Sequence, residues 1–301
     1  MFGGHHPLTA GARRAIVLLA AIVALTAACS AGAPNVPFSL GTVHRDLTYC
    51  NGETLDLYVP RRAVRPVPIA LYVHGGGMSA GDKSDLNPLF LHALASDGYA
   101  VASLNYRLAP QFHFPAQIVD VKCAIRYLRD RAPVYGLNAH DVFAFGTSVG
   151  GELVAIAALT GSRSAFDVGP YAAEPSGLSA AVDMFGPANL TQPASGFSAS
   201  DIQQVFGNHR SEVVLASPTH FVSPKAPPIL LVQGENDAKV LKSQSIELYR
   251  DLKAAGDQAQ LVLVRNMGHM FMQVGPKPPD PNLRKIAGDM VSFFDGVRSS
   301  S

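Results

Sequence analysis

The chain has 301 residues, a length that fits one large domain or two small ones. Apolar residues make up 48% of it and charged residues 16%, which permits a sizeable buried core and excludes wholesale disorder. With 24 Lys and Arg against 23 Asp and Glu the formal charge is +1, so there is no electrostatic footprint for nucleic acid.

Arg13 and Arg14 precede an almost unbroken apolar run from Ala15 to Ala28 that ends in small residues before Cys29. A charged start, a short apolar stretch and a small-residue cleavage site describe a secretory signal. The run is short of the roughly 20 residues that a membrane-spanning helix needs. The stretch Leu25-Thr26-Ala27-Ala28-Cys29 resembles a bacterial lipobox, which implies cleavage before Cys29 and a diacylglycerol on its sulfur. The alternative is an ordinary cleaved signal with an incidental cysteine. The expected organisation is a signal over 1–28, a tether over 29–41 rich in Ala, Pro and Ser, and a folded domain over 42–301. The expected location is the cell envelope, lipid-anchored at the outer face of the cytoplasmic membrane, or otherwise the secreted fraction. Cys50 and Cys123 are then the cysteines left to pair in an oxidising compartment; the sequence leaves a disulfide and two separately buried thiols equally open.

From Thr42 short strands and amphipathic helices alternate. Thr42 to Tyr49 and Glu53 to Val59 flank Cys50-Asn51-Gly52, and Asn-Gly between alternating runs predicts an antiparallel hairpin. Val67 to Val73 is a continuous apolar run, as in a strand buried on both faces. Leu86 to Ser96 has helical period, Tyr99 to Asn105 predicts a strand, and Ala116 to Arg131 places Ile118, Val121, Ile125 and Leu128 on one helical stripe. Next come a strand at Val142 to Phe145, a helix at Val149 to Leu159 and strands at Ala180 to Phe185 and Ile229 to Val232. A helix over Lys242 to Ala254, a strand at Leu261 to Val264 and a final helix from Leu283 to Phe294 complete the series. This alternation implies an α/β fold with a mostly parallel sheet covered on both faces. The interval 188–227, rich in Ser, Ala and Pro, breaks the rhythm and is the expected cap-like insertion.

Gly146-Thr147-Ser148-Val149-Gly150 matches Gly-x-Ser-x-Gly between a predicted strand and a predicted helix, the context in which a sharp turn lifts a serine hydroxyl above the sheet. His74-Gly75-Gly76-Gly77 follows another strand, and glycines there let backbone N–H groups approach an oxyanion, with the N–H of Val149 as partner donor. A phosphate-binding loop would read the same glycines differently, but no Gly-Lys-Ser/Thr ending or Gly-x-Gly-x-x-Gly spacing accompanies them. The serine needs a base and the base a carboxylate, in the order Ser, acid, His. Asp237 and His269 lie in the loops beyond successive strands; Glu235 and Asp183 are the rival acids. His44, His92, His113, His140, His209 and His220 lack ligand spacing and read as surface or core groups. No pattern calls for a metal or cofactor.

On these motifs the chain resembles the α/β-hydrolase carboxylesterases and lipases, near the hormone-sensitive-lipase-like and acetyl-xylan-esterase-like groups. The resemblance covers 42–297. It includes Gly81-Asp82-Lys83, Asn105-Tyr106-Arg107-Leu108, Phe114-Pro115-Ala116-Gln117 with Asp120, Phe185-Gly186-Pro187, Ser217-Pro218 and Pro227-Pro228. It implies Ser148 as nucleophile, His269 as base and acid, Asp237 as orienting acid, and Gly76, Gly77 and Val149 as oxyanion donors. Met78 and Met184 stand where such proteins often carry Trp, and Thr147 where an acidic or amide residue is common. The expected activity is hydrolysis of short acyl esters, small or polysaccharide-like, because the middle of 188–227 is polar, with Ser195, Ser198, Ser200, Asp201, Gln203 and Gln204. An amide-cleaving relative, such as an arylformamidase or serine peptidase, and a catalytically silent binding lipoprotein are the alternatives. No pattern specifies an oligomeric state.

Overall fold

The computed structural model describes residues 40–61, 63–161, 165–209 and 211–300, together with Met1 and Gly3. The contacts divide the chain into Met1–Phe38 and Ser39–Ser301, and the second unit holds the fold. The predicted signal, Cys29 and most of the tether lie outside the described residues. Among those described, no helix is long and apolar enough to cross a membrane.

Eight strands form one sheet: β1 (Leu40–Thr48), β2 (Thr54–Pro60), β3 (Val67–Val73), β4 (Ala100–Leu104), β5 (Leu137–Thr147), β6 (Ala180–Met184), β7 (Ile229–Gly234) and β8 (Ala259–Val264). Their spatial order is β1-β2-β4-β3-β5-β6-β7-β8. The β1–β2 and β2–β4 pairings are antiparallel and the others parallel, as the hairpin signal at Asn51-Gly52 and the strand-helix alternation anticipate.

The helices are α1 (Pro88–Ser96), α2 (Ala116–Asp130), α3 (Ala132–Tyr135), α4 (Val149–Thr160), α5 (Ala199–Phe206), α6 (Glu212–Leu215), α7 (Ser243–Ala254) and α8 (Leu283–Arg298). Because side chains alternate across a strand, β3 sends Val67, Ile69, Leu71 and Val73 into one core and Ala70 and Tyr72 into the other. The first core is closed by α2, α4 and α7, through residues such as Ile118, Leu153 and Leu248. The second is closed by α1 and α8, through Phe90, Leu94, Met290 and Phe294. Strands buried on both faces favour apolar residues at nearly every position, which is why β3 reads as a continuous apolar run and β6 and β7 depart from one only at Asp183 and Gln233. β5 is longer than expected, since Leu137 to Asp141 extend it at the solvent end with polar residues that break the apolar pattern.

The order β4-β3-β5 places a topological switch at β3: the chain leaves β3 toward β4 on one side and leaves β5 toward β6 on the other. In open α/β sheets the connections diverge at such a point, and ligands bind beyond the strand ends there. The His74 loop and Ser148 both emerge at this point.

The interval 188–227 folds into short helical segments, α5 and α6 with 3₁₀ turns at Pro193–Ser195 and Pro218–Phe221. It is pinned below by Val205 and Phe206, the latter 5.6 Å from the Phe114 ring. A cavity of about 640 Å³ lies between α5 and the loop bearing Pro110 and His113, lined also by Gln203, Gln204, Asn208 and His209.

Cys50 and Cys123 form a disulfide joining the β1–β2 turn to α2, which resolves the alternative left by the sequence. Beside it Asn51 donates to Asp120 Oδ1 at 2.8 Å, and Arg107 grips the same buried carboxylate with Nε and Nη2 at 2.8 and 2.9 Å. The Asn-Tyr-Arg segment thus fastens the turn after β4 to α2.

Candidate active site

Ser148 sits between the end of β5 and the first turn of α4 with φ 54° and ψ −129°. That region is costly for a residue with a side chain and persists only where the surroundings over-determine it. Here the Ser148 N–H donates to the Met184 carbonyl at 2.8 Å, and its own carbonyl accepts from Gly151 at 2.8 Å and Glu152 at 3.2 Å. The elbow also demands close packing: a Cβ on Gly146 would stand 2.3 Å from the Gly150 carbonyl group, and one on Gly150 only 2.1 Å from the Val73 carbonyl oxygen. Any larger residue at either position would push α4 off the sheet.

The loop after β3 lies against the serine, since a Cβ on Gly75 would come within 3.2 Å of Ser148 Cβ. Gly76 and Gly77 take φ 103° and 65°, a region that favours glycine. Beneath them His74 is buried, its Nδ1–H donates to the Gly75 carbonyl at 2.7 Å, and burial holds its pKa below the usual value. The ring stacks on Tyr106 at 4.2 Å, and the Tyr106 hydroxyl reaches the His74 and Gly75 carbonyls at 3.0 and 3.2 Å. The carbonyls of the loop are therefore tied into the protein.

His269 opens a 3₁₀ turn (His269–Phe271) five residues beyond β8. Its Nε2 lies 3.0 Å from Ser148 Oγ and its Nδ1 2.8 Å from Asp237 Oδ2. The Phe185 ring packs edge-on against the imidazole at 5.9 Å and is itself braced by Phe271 at 4.8 Å. The Asp237 side chain is fully buried. Its Oδ1 accepts from the N–H groups of Lys239 and Val240 at 2.8 and 2.9 Å, and Oδ2 accepts from Gln233 Nε2 at 3.0 Å as well as from His269.

Ser148, His269 and Asp237 are thus brought together from residues far apart in sequence. Of the rival acids, Glu235 is half-buried and it is Asp237 that bonds to His269, while Asp183 lies within β6, where it accepts from the Gly186 N–H at 2.8 Å. Val149 begins α4 directly after the serine. Met78 and Met184 are fully buried in the first and second cores, and Thr147 meets the Tyr72 hydroxyl at 3.1 Å. Burial pushes that tyrosine up to about 12.

Three supports escape sequence reasoning. Gln233 holds Asp237 while its Oε1 accepts from Ser245 Oγ at 3.0 Å, and Tyr106 holds the glycine loop. Gln233 is the one polar residue before the glycine in an apolar strand, a weak signal that a strand terminus explains equally well.

The BD-FAE family model matches residues 55–252 of this chain, from β2 through α7, and so spans the glycine loop, the elbow and Asp237. The chain belongs to the BD-FAE family. Among curated proteins it is 25% identical over 232 residues to the esterase LipC of Mycobacterium tuberculosis, covering 74% of this chain and 58% of LipC. The chain thus spans little more than half of that relative's length. It is 26% identical over 250 residues to the ethyl acetate hydrolase of Pseudomonas putida, covering 76% of this chain and 75% of the hydrolase. Among solved structures, a truncated carbohydrate esterase from gut microbiota superposes with a TM-score of 0.73 at 26% identity, covering 86% of this chain and 97% of the other. The fold is that of the α/β-hydrolase esterases.

Proposed function

We propose that the chain is a serine carboxylesterase acting on short acyl esters. The observation that carries this reading is the continuous Ser148–His269–Asp237 hydrogen-bond chain, 3.0 Å from Nε2 to Oγ and 2.8 Å from Nδ1 to Oδ2, at the switch point of the sheet. Ser148 Oγ attacks the ester carbonyl carbon while His269 Nε2 takes the hydroxyl proton. Asp237 keeps the Nδ1–H tautomer and steadies the imidazolium. The N–H groups of Gly76, Gly77 and Val149 receive the oxyanion of the tetrahedral intermediate. Its collapse breaks the ester C–O bond, and the proton on Nε2 goes to the departing alkoxide. Water then attacks the acyl-enzyme, giving its proton to His269, and the carboxylic acid leaves as Ser148 recovers its hydrogen.

Short acyl groups and polysaccharide-like alcohols are the preferred substrates in this reading. The apolar side chains Val205, Phe206 and Val213 of 188–227 are spent on the core, leaving few to line a tunnel. A long acyl chain would need such a lining, since each buried methylene contributes about 0.8 kcal/mol. Support also comes from a relative named for ethyl acetate and a structural neighbour described as a carbohydrate esterase. Ser148→Ala should abolish fluorophosphonate labelling and hydrolysis of p-nitrophenyl acetate. Retained labelling would move the nucleophile elsewhere, rates rising steadily from butyrate to palmitate would make the protein a lipase, and faster cleavage of an anilide would make it an amidase.

The charged start, apolar run and Cys29 support export and lipid anchoring. Cys29→Ser should shift the protein from the membrane to the soluble fraction. Equal membrane retention of both forms would refute the anchor.

A further inference from the structure

Beneath the elbow lie two acidic side chains with no role in the chemistry above. Glu152, in the first turn of α4, and Asp183, in β6, are both buried, at 0% and 2% exposure. Glu152 Oε1 and Oε2 and Asp183 Oδ2 have no hydrogen-bond partner among the described residues; Asp183 Oδ1 accepts from the Gly186 N–H. The Asp183 carboxyl presses on the residue before Glu152, for a Cβ on Gly151 would meet its Oδ1 at 2.1 Å.

Glu152 and Met184, the residue after Asp183, hold Ser148 through their main chains. The Glu152 N–H donates to the Ser148 carbonyl, and the Ser148 N–H donates to the carbonyl of Met184, the neighbour of Asp183. One carboxyl is thus carried by a residue whose main chain holds the strained nucleophile, and the other by the neighbour of such a residue.

We propose that Glu152 and Asp183 are positioning residues that seat the nucleophile turn only while the pair remains uncharged or singly charged, and that their joint ionisation unseats Ser148. This rests on the esterase reading for its consequence, though not for the state of the pair. Two buried carboxylates that share a single N–H donor are costly when both are charged, and keeping one of them protonated removes much of that cost.

Among the described residues, the groups packed around the pair supply no compensating cation. The charge acting on Glu152 is that of Asp183, and on the β4 side Glu152 faces the buried Tyr106 hydroxyl. From β3, Tyr72 is bonded to Thr147. On α2, Asp120 is gripped by Arg107, while Lys122 pairs with Asp167 and donates to Thr160 at the opposite end of α4. Arg126 turns to the Val168 carbonyl and Arg129 to those of Ala139, Pro175 and Gly177. His220, in the 3₁₀ turn packed on α4, stands against Phe221. Burial raises Asp183 to about 7, and burial with the neighbouring Asp183 charge raises Glu152 well above the carboxylate range.

The test measures the rate of fluorophosphonate labelling of Ser148 from about pH 6 to about pH 10 in the full chain and in Glu152→Gln and Asp183→Asn, each profile scaled to its own maximum. Both variants keep His269, so whatever the base contributes is common to all three profiles. The full chain should lose labelling by about tenfold per pH unit once the second proton leaves, reversibly, whereas the variants, whose amides cannot ionise, should stay flat to higher pH. Superimposable profiles in all three forms would overturn the proposal.

Urea unfolding across the same range, extended down to about pH 4, separates this failure from failure of the esterase reading. Raised folded-state pKa values mean that the native chain binds more protons than the unfolded one, so stability is full below the ordinary carboxylate pKa and declines as pH rises through about 7. The decline should be shallower in each variant. An absence of labelling at every pH, with these slopes intact, would remove the esterase reading and leave the uncharged pair standing; equal slopes would remove the pair.

Discussion

Asp237 holds His269 through one oxygen and gives the other to two N–H groups of its own turn. An orienting acid fixed this way has no freedom to swing from the ring. Asp237→Asn keeps the shape, but with its carbonyl held by the two N–H groups it turns an amide N–H toward His269 Nδ1, where an acceptor is required, which favours the wrong histidine tautomer. In the proposed esterase kcat should fall by up to about 10⁴-fold with little loss of stability, and a larger effect from Glu235→Gln would reassign the acid. The three residues of this chain of contacts are legible in the sequence because each follows a strand and is announced by a glycine turn: Gly146 before Ser148, Gly234 before Asp237 and Gly268 before His269. Gln233 and Glu152 are not. An amide at a strand end and an acid in the first turn of a helix have ordinary local explanations, the second through the helix dipole. Only tertiary packing reveals that one props Asp237 and the other is sealed beside Asp183.

Among the elements, the strands and helices of both cores stand close to their expected positions because a doubly buried strand and a one-sided helix impose different apolar periods. The disulfide was not legible: pairing needs two Cα positions at the right separation, and residues 50 and 123 belong to a hairpin turn and a helix whose approach depends on the whole sheet. The bond closes a loop with a sequence separation of 73, which in the chain-entropy account stabilises the fold by up to about 4 kcal/mol. Replacing both cysteines by Ser should therefore lower the urea midpoint substantially. Since Asn51, Asp120 and Arg107 still tie the same turn to α2, the folded double variant should keep its nucleophile labelling at neutral pH. Loss of labelling while the fold persists would show that the staple reaches the site.

At the scale of the molecule, the three residues of the hydrogen-bond chain do not share one strand. Ser148 follows the central β5, Asp237 follows β7, and His269 follows β8, which ends the sheet. β8 is mostly half-buried along its length, whereas β5 and β7 are sealed toward their C-terminal ends. Openings of a native protein cost least where backbone hydrogen bonds face solvent on one side. The base is thus mounted on the border of the fold and the nucleophile at its centre. Amide exchange should be faster in Leu261 to Val264 than in Val142 to Phe145, and activity should vanish at lower urea than the far-ultraviolet dichroism, returning at once on dilution. Coincident transitions would show instead that the edge opens only with the rest. In the proposed esterase, mild stress silences the protein by withdrawing its proton acceptor from an otherwise intact scaffold, so a stressed population would consist of dormant molecules awaiting one strand's return.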